Sequence, residues 1–167
     1  MNVHNYFLIG MFLFLTIGCQ VSHQEDSQVA VGPGGWLKGN SDEKFDEVAH
    51  QLGGFSRTMV EVGYRYSELY WAGQDENWKY AEHQIEHILE AMEDGLKRRP
   101  ERKPSSTEFM EEVLPKMEEL VDQGDKAAFL EGFKTFTASC NQCHNQEGEE
   151  FIVIREPQER TSPVRFR

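Results

Sequence analysis

The sequence predicts an all-α fold, an up-down-up-down four-helix bundle that carries its chemistry near the end of the last helix. Three observations lead there. From residue 41 onward apolar residues recur at alternating steps of three and four, the period of an amphipathic helix. No stretch alternates apolar and polar residues as a half-buried strand would. Glycine and proline separate the periodic segments by short connections, and helices joined in that way pack most simply as antiparallel neighbours. At 167 residues the chain is one domain's worth, enough to bury a single core.

Residues 1–18 read as an export signal of the lipoprotein type. Tyr6 to Ile17, "YFLIGMFLFLTI", is an apolar run too short for a membrane-spanning helix of about 20 residues. It suits the apolar region of a signal peptide, although "MNVHN" before it has no Lys or Arg. The following "LTIGC", Leu15 to Cys19, resembles the lipobox of bacterial lipoproteins, in which the cysteine is acylated and becomes the new N-terminus. A plain signal peptide cut nearby, or a buried thiol, are the alternatives. Residues 19–40 are polar and rich in Gly, Ser and Gln, the composition of a flexible tether with a reach of roughly 25 Å. Lipid attachment at Cys19 would hold the protein on the periplasmic side of a bacterial membrane.

The bundle is expected over residues 41–147. Phe45, Val48, Leu52, Phe55, Met59, Val62, Tyr66 and Leu69 form one stripe. They predict a single long helix, softened at Gly53 and Gly54 and stopped at Ala72-Gly73. Asp75 is the expected N-cap of a second helix, with Trp78, Ala81, Ile85, Ile88 and Met92 on its buried face and Pro100 beyond its end. The pattern from Ser105 to Glu108 reads as a capping box. It opens a third helix that buries Phe109, Val113, Met117 and Leu120, with a kink at Pro115. Asp125 caps the fourth, whose stripe runs Phe129, Phe133, Phe136, Cys140, Cys143. Residues 148–167 form a C-terminal tail, in which Phe151 to Ile154 are apolar enough to pack on the bundle.

Only three cysteines occur, and two of them lie in "TASCNQCHNQ", beside His144. With Cys19 assigned to a lipid, one pair remains, in an oxidising compartment. A redox dithiol usually opens a helix after a strand, and this pair closes a helix with no strand before it. A structural zinc needs four ligands, and no second pair of suitable spacing is present. A disulfide across one helical turn closes a tiny loop and stabilises little. The remaining use of "CNQCH" is covalent attachment of haem c. Both thiols then reach the two vinyl groups on one porphyrin edge, and the next residue aims its imidazole at the iron.

An attachment sequence at the end of the last helix of an acidic bundle resembles the class II cytochromes c, the cytochrome c prime group and its low-spin relatives. The likeness covers roughly residues 42 to 146, and the tail departs from it. The segment "LYWAGQDENW", with the helix containing "AEHQIEH", is similar to a group of small exported bacterial haem proteins. The resemblance implies one covalent haem, a distal residue on the first helix, and room for a homodimer.

What faces the iron opposite His144 decides function. Counting about 1.5 Å per residue along the helices, Leu52, Phe55 and Met59 fall near the level of His144. Met59 alone among them offers a sulfur, so it is the candidate distal residue and sixth ligand, although a methionine on such a stripe is ordinarily core. Met92 and Met110 lie at comparable depth. Tyr66 either offers its hydroxyl to the pocket or carries it to the rim, and His50, one residue off the stripe, is expected in solvent. His83 and His87, near Glu82, Glu86 and Glu90, are a candidate for a divalent cation, set against an ordinary wet helix face.

A formal charge of −12, from 17 basic and 29 acidic residues, argues against a nucleic-acid partner. No nucleophile–base pair points to catalysis. The expected activity is one-electron transfer to a redox partner that the sequence does not identify. The alternative is a gas-binding or sensing haem protein with an open sixth position. If Cys19 anchors the chain, Cys19→Ser should move the protein from the membrane fraction to the soluble periplasm. An unmodified mature N-terminus at another residue contradicts the assignment.

Overall fold

Helix α1 (Ser41–Leu52) begins with a reciprocal cap. The Asn40 side chain accepts from the Glu43 N–H (2.9 Å), and the Glu43 carboxylate accepts from the Asn40 N–H (2.8 Å). Two donors that the first turn would leave orphaned are thereby satisfied. The computed structural model describes residues 29–164, and the chain divides into two compact units between Val48 and Ala49. In the first, Val31 and Leu37 exchange backbone hydrogen bonds of 2.9 and 3.1 Å around a tight turn at Pro33–Gly35. Part of the expected tether is therefore a closed turn. The export signal and Cys19 lie outside the described residues.

The long first helix of the sequence reading is two helices. Gly53 takes φ 77°, a left-handed conformation that glycine alone adopts without strain, and this ends α1. Gly54 is then the N-cap of α2 (Phe55–Gln74). The apolar phase continues across the break, but burial does not. Phe45 is 73% exposed, and Val48 and Leu52 are exposed with it, whereas Val62, Tyr66, Leu69 and Ala72 are buried.

Asn77, not Asp75, caps α3 (Trp78–Arg98), its side chain accepting from the Tyr80 N–H at 3.3 Å. Glu76 turns through φ 57° between the two helices, so Asn77 is the residue that meets the first turn of α3. Asp75 instead closes α2. Helix α3 buries Ala81, Ile85, Ile88 and Met92 as expected.

A turn at Pro100–Arg102 leads into α4 (Lys103–Glu108), a widened π-type turn (Phe109–Val113) and α5 (Leu114–Gln123), which follow one another with helical backbone at both junctions. The widening lies just before Pro115, which has no N–H to donate one turn back and whose ring crowds the carbonyl there. That is the form the expected kink takes. The expected capping box is absent because the helix starts earlier, at Lys103. Ser105 and Ser106 both donate to the Arg102 carbonyl, at 2.9 and 2.8 Å.

Helix α5 stops at Gly124, φ 65°. Helix α6 (Lys126–Gln146) is capped as expected, with Asp125 accepting from the Ala128 N–H at 2.9 Å. Its Phe129, Phe133 and Phe136 are buried and form a ladder of rings with Tyr66 and Phe109, with centroids 4.8 Å apart for Tyr66–Phe133 and 5.2 Å for Phe109–Phe136. Such pairs add about 0.5–1.5 kcal/mol each beyond the burial of their area. Helix α2 packs on α3, α3 on α5, α5 on α6 and α6 on α2. The fold is all-α, and among the described residues no strand accompanies the single pairing of Val31 with Leu37.

Close packing of α2 against α6 can be tested at Gly73, where a Cβ would meet the Phe129 ring. Helix propensity alone predicts that Gly73→Ala stabilises by about 1 kcal/mol. Overpacking predicts a loss of roughly 1–3 kcal/mol, and urea unfolding should show the loss. A gain would mean that Phe129 moves aside freely.

Candidate functional site

Cys140 and Cys143 follow Phe133 and Phe136 in helical phase, so the buried stripe of α6 ends in two sulfurs. They and His144 line an apolar cavity of about 150 Å³. Phe55, Met59, Val62 and Tyr66 of α2 contribute to its wall, with Met92 of α3 and Phe109 of the widened turn. Ile152 and Ile154, beyond the last helix, complete it.

The residues expected at the site converge on this cavity, with two exceptions. Leu52 is exposed beyond the glycine break and is not among its walls, and Met110 packs against the core elsewhere. Met59 is half-buried and Met92 is buried, so two thioethers reach the space that His144 borders.

The two thiols are free. Burial, reinforced by the neighbouring Cys143, pushes the Cys140 thiol up to about 12. It is therefore protonated at neutral pH, the reverse of the low-pKa thiolate that a disulfide oxidoreductase needs. His144 Nδ1 lies 2.8 Å from the Ile152 carbonyl oxygen. A carbonyl only accepts, so Nδ1 is the donor in this contact, and in the neutral imidazole Nε2 is the nitrogen left with its lone pair.

Tyr66 does not carry its hydroxyl to the rim. It is buried, lies 2.7 Å from Thr137 Oγ1, and its phenol is pushed well above the usual range by burial. The Thr137 hydroxyl also donates to the Phe133 carbonyl at 2.8 Å, so the Tyr66 hydroxyl is held against α6. His50 is exposed, as expected. The His83 and His87 rings meet edge-on at 4.3 Å, and His87 pairs with Glu90 at 2.8 Å. No cluster of three or more metal-ligating groups is present among the described residues.

Asn141 grips the backbone of Ile154 twice: its Nδ2 donates to the Ile154 carbonyl (2.9 Å), and its Oδ1 accepts from the Ile154 N–H (2.8 Å). Glu147 is bound by Arg102 and by the Ser105 hydroxyl. Further along, Arg160 pairs with Asp75 at 2.6 Å and lies 4.9 Å over the Trp71 ring. The tail packs on the core through Ile154, with Ile152 bordering the cavity, whereas Phe151 points into solvent. An Asn between the two cysteines gave no signal by itself, because its partner is backbone 13 residues away.

No known protein family, curated protein or solved structure matches the chain.

The raised Cys140 pKa fixes a sign for stability in the haem-free chain. The fold favours the protonated thiol, so its contribution is fully present below the ordinary value of 9.0 and is lost as pH rises towards about 12. Tyr66 and Tyr80, also raised, act in the same direction. Urea midpoints should therefore fall above pH 9, and less steeply in Cys140→Ala. Parallel pH curves for the two chains would show that Cys140 is not held in its neutral form.

Proposed function

We propose that the chain is an exported c-type cytochrome, an up-down-up-down four-helix bundle that holds one covalent haem c and passes single electrons. Its support is the convergence of two free thiols, an imidazole whose Nδ1 is engaged by a carbonyl, and the Met59 sulfur on one apolar cavity. Cys140 and Cys143 would hold the group as thioethers, with His144 and Met59 as iron ligands. When bound, the haem supplies a one-electron iron couple whose potential follows its axial ligands and burial. Attachment through Cys19 to the periplasmic side of a membrane, and a redox partner, complete the reading.

The chain's own residues account for the rest. The Ile152 carbonyl engages His144 Nδ1–H, which in the neutral ring leaves Nε2 as the ligating nitrogen. A thioether is a soft donor that favours reduced iron, as suits a carrier. Phe55, Val62 and Phe109 give the cavity an apolar wall. The Tyr66 hydroxyl, held by Thr137, is committed to α6. The cavity is smaller than the roughly 300–1,000 Å³ of small-molecule sites, so seating a porphyrin requires its walls to part.

The second reading, a gas-binding module with His144 as sole axial ligand, draws on the same wall of Phe55, Val62 and Phe109. Absorption spectra of protein matured beside a working haem-ligation system separate the two. The proposal predicts a low-spin spectrum that carbon monoxide changes little, and a high-spin, carbon-monoxide-binding Met59→Ala. Met92→Ala should stay low-spin while losing roughly 2–5 kcal/mol as a core truncation. A wild type that is already high-spin and binds carbon monoxide moves the gas-binding reading ahead. A protein without a Soret band contradicts both.

A further inference from the structure

We infer that Asn141 and the segment 149–154 form a clamp that holds the His144 imidazole in one tautomer and one orientation, with Asn141 as the positioning residue. The Glu149 N–H donates back to the His144 carbonyl (2.8 Å), and the Ile152 N–H donates to the Glu149 carbonyl (2.8 Å). These two bonds turn the chain so that the Ile152 carbonyl meets His144 Nδ1. Nothing in them prevents the turn from fraying, since Phe151, Ile152 and Val153 are exposed. The segment is pinned two residues further on, where Asn141 makes its double contact with Ile154.

That contact has a chemical requirement. It needs a donor and an acceptor on one planar group, which an amide supplies and a carboxylate, hydroxyl or methyl does not. The second Asn141 N–H is occupied by the Thr137 carbonyl at 3.1 Å, so the amide is fixed by three bonds. Flipping it would set donor against donor and acceptor against acceptor at Ile154. Asn141 lies one turn before His144 on the same helix, and the carbonyl it steadies faces the His144 ring.

The consequence is tautomeric. A free imidazole in water prefers the proton on Nε2, and a carbonyl at Nδ1 reverses this, leaving Nε2 as the ligating atom. Partners of this kind also raise ligand basicity, and their loss typically costs about 10–100-fold in affinity or activity. In its consequence for potential the inference rests on the haem reading. The tautomer itself does not depend on it.

The experiment therefore has a haem-free arm and a loaded arm. In the full mature chain without haem, at pH 8, long-range proton–nitrogen NMR should find His144 as the Nδ1–H tautomer. Asn141→Ala and Asn141→Asp should both shift it towards Nε2–H. In the loaded protein the same variants should raise the midpoint potential, because a less basic imidazole stabilises oxidised iron less. A tenfold change in the equilibrium would read as 59 mV for one electron. A purely structural role for Asn141 would lower the melting temperature and leave tautomer and potential unchanged, which would overturn the clamp. Nε2–H in the wild type would overturn it too, even if every variant failed to fold. Failure of the haem reading would appear separately, as a chain that acquires no haem while the tautomer result stands.

Discussion

The arrangement depends on one constraint, the unbroken helical phase of α6. Three buried phenylalanines at steps of four and three fix which face of the helix looks inward, and the same steps carry that face on to Cys140 and Cys143. A residue inserted or deleted between Phe136 and Cys140 would rotate both sulfurs by about 100° and point them away from the cavity. Aromatic packing therefore does more than stabilise the core. Tyr66, Phe109, Phe133 and Phe136 form the floor against which the thiols and the imidazole are aimed.

Above that floor the site is held by polar contacts concentrated on the side of His144 nearest the tail. Arg102 and Ser105 bind Glu147 at the end of α6, Asn141 binds Ile154, and Ile152 binds His144. The Met59 side is different, with apolar walls and two flexible thioethers. This asymmetry suits a centre in which one ligand is fixed by the protein and the other adapts. It also gives the tail a purpose beyond the bundle. Arg160, pinned at Asp75 and Trp71, anchors its far stretch near the C-terminal end of α2.

The inward positions of α3 and α6 were legible from the apolar period, because Ala81, Ile85, Ile88 and Met92 of the one and Phe129, Phe133 and Phe136 of the other are buried in step with it. The first helix was misread because periodicity reports phase and not burial. Phe45 and Val48 keep step with Met59 and Val62, yet Gly53, by adopting positive φ, separates an exposed helix from a buried one. Asp75 and Asn77 are both good caps, and a single residue with positive φ, Glu76, decided between them. At the site, Cys140, Cys143, His144 and Met59 could be proposed from local spacing and helical level. The Asn141 clamp could not, because its partners are backbone atoms of a segment with no period and no secondary structure.

On the proposed reading, the chemistry of the protein depends on what Cys140 and Cys143 carry. The most direct measurement is mass spectrometry of the peptide that contains residues 137–146, taken from protein exported in cells with an active haem-ligation system. The account predicts one haem bound through both sulfurs and resistant to acid-acetone. Two free thiols, or a Cys140–Cys143 disulfide, in protein matured under those conditions would contradict it.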